Sequence, residues 1–90
     1  MPAIHVLVKG KVQGVFFRVT AKEVADELAL KGWVKNTDEG DVEIVASGEQ
    51  PQLDKFVDWC RTGPRRAHVD SVTVKELPEQ AFTEFAVVRG

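Results

Sequence analysis

The sequence contains one cysteine, Cys60, so no internal disulfide can form. Its 12 lysines and arginines are outnumbered by 14 aspartates and glutamates, and a net charge of −2 creates no overall field that attracts nucleic acid or anionic lipid. Charged residues or glycines break every apolar run well short of the roughly 20 residues that cross a bilayer. The amino terminus also lacks the pattern of a secretion signal. We therefore expect a cytoplasmic protein without nucleic-acid or membrane partners, in which any anion site is local.

Groups with the spacing of metal ligands are missing as well. His5 and His68 lie far apart, and neither accompanies cysteine or carboxylate residues at such a spacing. Four acidic residues occur close together: Asp38, Glu39, Asp41 and Glu43. Their spacing is not that of a calcium loop, and Gly40 among them favours a hairpin turn. We expect no metal ion and no cofactor.

The length and composition indicate one globular unit. Ninety residues suffice for one hydrophobic core but not for two, so we expect a single domain over residues 1–90. Hydrophobic residues make up 43% of the chain and charged residues 29%, which is ordinary for a protein that folds alone. No heptad or excess of apolar residues indicates a partner chain, so a monomer is expected.

Hydrophobic periodicity predicts the first half of the fold. Alternating apolar residues over Ile4–Val8 predict a strand, and helical spacing from Phe17 predicts a helix to about Lys31, ended by Gly32. A short extended piece over Trp33–Asn36 follows, then a turn at 37–41 and a strand with apolar residues at period two, Val42, Ile44 and Ala46.

The second half repeats the order of helix and strand. A helix opens at 48–51, carries its apolar stripe on Leu53, Phe56, Val57 and Cys60, and closes at Gly63 and Pro64. A strand over Ala67–Leu77 follows, and Pro78 separates it from a last extended segment, Phe82–Arg89, which we expect to pair near the preceding strand.

This order predicts an α+β, ferredoxin-like sandwich, also called a split βαβ fold. Two helices would pack on one face of a mixed, largely antiparallel sheet of about four or five strands. The first and second strands would run parallel, because a helix crosses between them, so their carboxyl ends lie at the same sheet edge. The loop Gly10–Arg18 and Asn36 should therefore meet in space.

The loop that precedes the first helix has features of an anion site. Gly14 permits backbone angles closed to other residues, so the amides from Gly14 to Arg18 can point into one concavity. The helix dipole and the Arg18 guanidinium add positive charge there. Taken alone this is weak evidence, because strand-to-helix turns need glycine anyway and most surface arginines are merely solvated. The Lys-Ser/Thr pair of nucleotide-binding loops is absent.

Two segments of the chain resemble the signatures of the acylphosphatase family. The first is carried by Gly10, Val12, Gln13, Gly14, Val15, Phe17 and Arg18, and the second by Gly32, Trp33, Val34, Asn36, Gly40, Val42 and Glu43. Further residues fall at family spacing: Gly63, Pro64, Ala67, Val69, Phe82 and Phe85. Position 16 is Phe where many relatives have Gly. The resemblance covers nearly the whole chain.

The resemblance implies an enzyme that hydrolyses small acyl phosphates to a carboxylate and orthophosphate. It implies Arg18 and Asn36 as catalytic residues, with Asn36 positioning the water. The implied phosphate-binding residues are Gln13, Gly14, Val15, Phe16, Phe17 and Arg18. Without the resemblance, Asn36 is better explained as a turn residue than as a site residue. Thr37, Lys9 and Lys11 are at most secondary contributors to the site. No separate pocket for the acyl part can be read.

Three other functions share this order of elements. An RNA-binding module needs aromatic residues on its central strands, and the strand over residues 42–47 has none. A metal carrier needs paired cysteines in the first loop, which contains none. A non-catalytic regulatory domain that keeps the anion site remains the main alternative.

Overall fold

The computed structural model describes residues 1–89, in which five strands and two helices follow the predicted order. They are β1 (Ala3–Lys11), α1 (Phe17–Glu27), β2 (Lys31–Asn36), β3 (Val42–Ser47), α2 (Gln50–Thr62), β4 (His68–Leu77) and β5 (Phe85–Val88). The strands form one sheet in the order β4-β1-β3-β2-β5. The predicted α+β, ferredoxin-like sandwich is confirmed.

Strand pairing places the carboxyl ends of β1 and β2 at one sheet edge. Strand β3 lies between them and is antiparallel to both, with Val6 opposite Ile44 and Val34 opposite Ile44. Strands β1 and β2 therefore run in the same direction, as predicted. The loop that leaves β1 and the turn that leaves β2 start from the same end of the sheet.

The core lies between the sheet and the two helices. One face of β1 contributes Ile4, Val6 and Val8, which are buried, while the alternate residues point away from the helices. Both helices contribute the predicted apolar stripes, with Phe17, Ala21 and Ala25 buried on α1 and Leu53, Phe56 and Cys60 buried on α2. The ring of Trp59 lies 5.2 Å from that of Phe17 and 6.1 Å from that of Phe56, between centroids. This aromatic contact joins the two helices.

Helix α1 ends earlier than its periodicity predicts. The prediction of a helix to Lys31, stopped by Gly32, is wrong, because α1 ends at Glu27 and Gly32 lies within β2. The Leu30 amide donates to the Ala25 carbonyl at 2.8 Å, and the Ala29 amide to the Asp26 carbonyl at 3.1 Å. Ala29 adopts a left-handed conformation, with φ of 57°. These bonds form a Schellman motif in which alanine occupies the position usually held by glycine.

Gly32 has a different role from the one predicted. Its φ is 141°, and a Cβ built at this position would overlap the backbone carbonyl of Val45 on β3. The glycine therefore allows β2 and β3 to approach closely where β2 begins. It is required by the sheet and not by the helix end.

The last strand lies at the opposite edge of the sheet from the predicted one. Strand β5 pairs in parallel with β2, with Trp33 opposite Ala86, whereas β4 lies beyond β1 at the other edge. It is also shorter than predicted, since residues 82–84 precede it as a loop. Phe85 is buried, with its ring centroid 6.0 Å from that of Phe56. Burial of this ring between β2 and the helices favours the observed position over a hairpin with β4.

The other predicted elements are confirmed within one or two residues at most ends. Strand β1 is the exception, because it runs to Lys11 and includes a register shift between Lys9 and Gly10. Neither helix of residues 1–89 combines the length and the apolar character that a membrane span requires.

Candidate active site

A cleft of about 520 Å³ opens at the sheet edge where β1 and β2 end. Its lining consists of Val12, Gly14, Phe16, Phe17, Arg18, Val19, Asn36, Val87 and Arg89. Arg18 and Asn36 lie 18 positions apart in the chain and line the same cleft. The structure thus brings the loop and Asn36 together, as the strand order predicts.

The loop before α1 has two residues in the left-handed region, a pattern that also occurs in anion-binding nests. Gly14 has a φ of 73° and Phe16 a φ of 64°, so the chain enters the left-handed region twice within three residues. Such alternation turns neighbouring N–H groups toward a shared concavity. Phe16 is also the N-cap of α1, and no side chain caps that terminus. The first-turn amides of a helix have no carbonyl partners within it and carry partial positive charge.

Four of the six predicted phosphate-binding residues line the cleft: Gly14, Phe16, Phe17 and Arg18. The side chains of the other two point elsewhere. Val15 is buried in the core. The Gln13 amide nitrogen donates to the carbonyls of Thr37 at 2.8 Å and of Asp41 at 2.9 Å. These two residues can therefore offer an anion only their backbone groups.

Asn36 is the last residue of β2 and is half-buried. It follows the buried Val34 by two positions, so both side chains project from the sheet face that carries the helices. Its partner across the ladder is Val42, which is also buried. This register holds the Asn36 backbone firmly at the cleft.

Arg18 lies in the first turn of α1 and faces the carboxyl end of β5. Its Nη1 donates to the Val88 carbonyl at 3.4 Å, a long hydrogen bond at an exposed position. A guanidinium has further donors, in a planar arrangement that suits carboxylate and phosphate oxygens. The bond links the first turn of α1 to the end of β5.

Arg89, Val19, Val87 and Val12 line the cleft but were not predicted from the sequence. Arg89 follows Val87 by two positions at the end of β5, and β5 runs parallel to β2. Its end therefore reaches the same sheet edge as Asn36. A correct placement of β5 beside β2 would have brought Arg89 to the cleft, because parallel neighbours end together.

The three residues that the sequence left as secondary, Thr37, Lys9 and Lys11, are not among those that line the cleft. The Thr37 hydroxyl accepts a hydrogen bond from the Asp41 amide at 3.1 Å, within the turn that joins β2 to β3. Lys9 is paired with Asp41, with Nζ 3.0 Å from Oδ2. Both side chains therefore stabilise the turn that follows Asn36. Lys11 is exposed and is absent from the cleft lining.

A cluster of charged side chains lies across the other face of the sheet. His5 Nε2 donates to a Glu43 carboxylate oxygen at 2.8 Å, and Lys35 Nζ is 3.6 Å from the second oxygen. The hydrogen bond from His5 lowers the pKa of Glu43 below its ordinary value of 4.5, partial burial opposes this, and Lys35 adds attraction. Within residues 1–89, no three His, Cys, Asp or Glu side chains converge as metal ligands. Burial raises the pKa of the Cys60 thiol, which suits a packing role.

Comparison with known proteins connects this geometry to a family. Residues 4–87 match the sequence model of the Acylphosphatase family. The chain is 54% identical over 82 residues to an acylphosphatase of Marinobacter nauticus. The aligned region covers 90% of this chain and 89% of the relative. The fold superposes on a solved acylphosphatase of Coxiella burnetii with a TM-score of 0.94, at 45% identity and coverage of 97% of this chain and 92% of the other.

A second solved structure, an acylphosphatase of Bacillus subtilis, superposes with a TM-score of 0.95. It is 37% identical, and the alignment covers 98% of this chain and 99% of the other. The similarity thus extends through both segments that form the cleft. The predicted enzyme class is confirmed, and the chain belongs to the acylphosphatase family.

Proposed function

We propose that the cleft hydrolyses acyl phosphates by holding the phosphoryl group on the loop amides and Arg18 while Asn36 positions the attacking water. The observation that carries this proposal is the shared lining: one cleft is lined by Arg18, Asn36 and three residues of the nest, Gly14, Phe16 and Phe17. Phosphoryl transfer depends mainly on alignment and charge stabilisation, and this arrangement supplies both.

The nest and Arg18 have complementary roles in the proposal. Backbone amides at the amino terminus of α1 bind phosphoryl oxygens at fixed positions. The Arg18 guanidinium adds a full positive charge and several donors where negative charge develops. Its hydrogen bond to the Val88 carbonyl at 3.4 Å restrains the guanidinium at the cleft before substrate arrives.

The water attacks phosphorus opposite the acyl oxygen, and the bond between phosphorus and that oxygen breaks. The electron pair of the broken bond leaves on the carboxylate, which is a weak base and needs no acid to protonate it. The carbonyl oxygen of the Asn36 side-chain amide orients the water but is too weak a base to take its proton. We propose that a phosphoryl oxygen of the substrate accepts the proton, so the products are a carboxylate and orthophosphate.

Further features of the working protein are part of the proposal. Arg18 and the nest supply the positive charge that a metal ion would otherwise provide, so hydrolysis is metal-independent and needs no cofactor. The chain acts as one domain and as a monomer, which agrees with a core that buries Phe17, Phe56 and Phe85 internally. It acts in the cytoplasm on small acyl phosphates. Its net charge of −2 favours no nucleic-acid partner.

The decisive experiment measures hydrolysis of benzoyl phosphate in the presence of a chelator. Arg18→Gln should reduce kcat/KM by about 10²- to 10³-fold, as the loss of a donor to developing charge does elsewhere. Arg66→Gln, at an exposed position outside the cleft lining, is the matched control and should retain activity. Unaltered hydrolysis by Arg18→Gln would refute the role of that residue.

The two proposed roles can be separated by inhibition with inorganic phosphate. Arg18→Gln should weaken inhibition, because the guanidinium binds the phosphoryl group. Asn36→Ala should lower kcat strongly while phosphate still binds, because Asn36 acts on the water. Phosphate binding without any hydrolysis by the unaltered chain would instead support the non-catalytic regulatory alternative.

A further inference from the structure

The segment that joins β4 to β5, residues 78–84, crosses the sheet at the end opposite the cleft; we call it the crossing segment. It connects two strands that form opposite edges of the sheet. It starts after Leu77, which is paired with Ala3, and ends at Phe85, which is paired with Gly32. Its path therefore passes the ends of β1, β3 and β2 in turn.

The crossing segment covers a part of the sheet that the helices do not. Ile4 and Ala46 belong to the core between the sheet and the helices. Strand alternation turns their neighbours Ala3, Val45 and Ser47 to the other face. These three residues are nevertheless buried, with at most 6% of their surface exposed. A second layer of chain therefore lies over this end of the sheet.

A cavity of about 440 Å³ is lined by both the crossing segment and the sheet. The sheet contributes Ser47 and Lys31, which are paired across the ladder between β3 and β2. The crossing segment contributes Ala81 and Phe82, and Met1 adds further apolar surface. The volume is typical of a site for a small molecule, and the cavity shares no lining residue with the cleft.

Two polar side chains of this cavity are not used within the protein. Ser47 is the one polar residue of 1–89 that is buried, and its hydroxyl takes part in none of the side-chain hydrogen bonds of that range. A buried hydroxyl is costly unless it has a hydrogen-bond partner. Lys31 likewise forms no ion pair with the described residues. Because cross-strand partners have Cβ atoms about 5 Å apart, this hydroxyl and this ammonium can bind one group.

A carboxylate has the charge and the shape that suit these two donors. The Lys31 ammonium balances its single negative charge, and the ammonium and the Ser47 hydroxyl can each donate to one of its oxygens. Ala81 and Phe82 offer contacts to an apolar body. Glu79 also lines the cavity, where it contacts the amino group of Met1. Its negative charge disfavours anions with more than one charge.

We propose that this cavity is a second ligand site, which binds a small monocarboxylate with an apolar body, such as an aromatic acid. Ser47 and Lys31 bind the carboxylate, and Ala81 and Phe82 contact the apolar part. The site is independent of the proposed hydrolysis, because none of its residues lines the cleft.

The test titrates benzoate into the protein and follows its backbone amide signals by NMR. Benzoate should shift the signals of Lys31, Ser47 and Ala81 to saturation, with a Kd of roughly 1–10 mM for a ligand of about nine heavy atoms. Benzyl alcohol, which lacks the carboxylate, should bind at least about tenfold more weakly. Inorganic phosphate should leave these signals in place. Equal affinity for benzyl alcohol or for phosphate would refute a carboxylate site.

Variants identify the binding groups. Ser47→Ala should weaken benzoate binding about fivefold and Lys31→Gln about threefold, whereas Glu79→Gln should strengthen it about twofold. Lys55→Gln, at an exposed position of α2 outside the cavity lining, is the matched control and should bind as the unaltered chain does. The same spectra show that each variant is folded. Benzoate shifts that are confined to the cleft, or that neither Ser47→Ala nor Lys31→Gln weakens, would overturn the proposal and leave the hydrolase function unaffected.

Discussion

The side-chain amide of Gln13 donates a hydrogen bond of 2.8 Å to the backbone carbonyl of Thr37. A second bond from the same nitrogen reaches the Asp41 carbonyl at 2.9 Å. Gln13 belongs to the loop that precedes α1, and Thr37 and Asp41 close the turn that follows Asn36. One side chain therefore connects the loop of the proposed phosphate nest to the turn that follows Asn36, the residue proposed to position the water.

Replacement of Gln13 by alanine should impair alignment more than binding. We expect kcat to fall about tenfold with a smaller change in KM, because small displacements of reacting groups reduce rates strongly. The free energy of unfolding should fall by about 0.5–1.5 kcal/mol, since the carbonyls of Thr37 and Asp41 each lose one of two donors and keep a backbone hydrogen bond. Steady-state kinetics and urea denaturation measure the two effects. Gln80→Ala, at an exposed loop position, is the control, and an unchanged kcat in Gln13→Ala would exclude the positioning role.

Gly32 should tolerate no side chain. In Gly32→Ala the new Cβ overlaps the Val45 carbonyl, and φ of 141° is strained for alanine. We expect the free energy of unfolding to decrease by at least about 2 kcal/mol in urea denaturation. Gly40→Ala, where a Cβ would meet nothing within 4 Å, should lose about 1 kcal/mol. Equal losses in the two variants would show that the contact with β3 is unimportant.

Ala29 offers a route to a more stable protein. It holds the left-handed position of the Schellman motif with a φ of 57°. Ala29→Gly should raise the free energy of unfolding by about 0.5–1 kcal/mol, because glycine adopts this conformation without a Cβ clash. Glu27→Gly, within the last turn of α1, should lower it by about 1 kcal/mol. Thermal and urea denaturation should agree in sign, and destabilisation by Ala29→Gly would contradict the motif.

The interaction of His5 with Glu43 should appear as a pH-dependent part of the stability. The pKa of Glu43 is lowered in the folded state, chiefly by the hydrogen bond from His5. The ionised Glu43 carboxylate therefore stabilises the fold fully at pH values above about 4.5, its pKa in the unfolded chain. This stabilisation is lost as the pH falls through the lower pKa that the group has in the folded state.

Glu43→Gln should accordingly reduce the free energy of unfolding by about 0.5–1 kcal/mol near neutral pH. The difference from the unaltered chain should shrink as pH decreases below 4.5. Urea denaturation at a series of pH values measures this difference. Glu23→Gln, at an exposed position of α1, controls for the loss of one negative charge. A difference that grows at low pH would have the opposite sign and contradict the assignment.

The elements that could be predicted are those that the local spacing of apolar residues along the chain determines. Apolar residues alternate with period two in β1 and recur with period 3.6 from Phe17. The structure has a strand and a helix at these two places. Their order fixes the direction of β1 and β2, which brings Arg18 and Asn36 to one edge. The conformation of Gly14 was predictable for the same reason, because a strand-to-helix turn leaves few other choices.

The errors concern contacts between distant segments. Leu28 and Leu30 continue the apolar pattern after α1 has ended, and only the close approach of Val45 shows that Gly32 belongs to a strand. Strand β5 spans just Phe85–Val88, which is too short to carry a pairing signal. Its place is set by the burial of Phe85 near Phe56, a tertiary contact. Arg89 was missed as a direct consequence.

Arg89 should strengthen phosphate binding through its charge. It is exposed and lines the cleft, so Arg89→Ala should weaken inhibition by inorganic phosphate only about two- to fivefold at an ionic strength near 0.01 M. The effect should nearly vanish near 1 M, where the Debye length falls to about 3 Å. Arg66→Ala, at an exposed position outside the cleft lining, should change the inhibition little at either salt concentration. A loss of inhibition that persists at high salt would instead indicate direct contact between Arg89 and the phosphate oxygens, because close contacts are screened least.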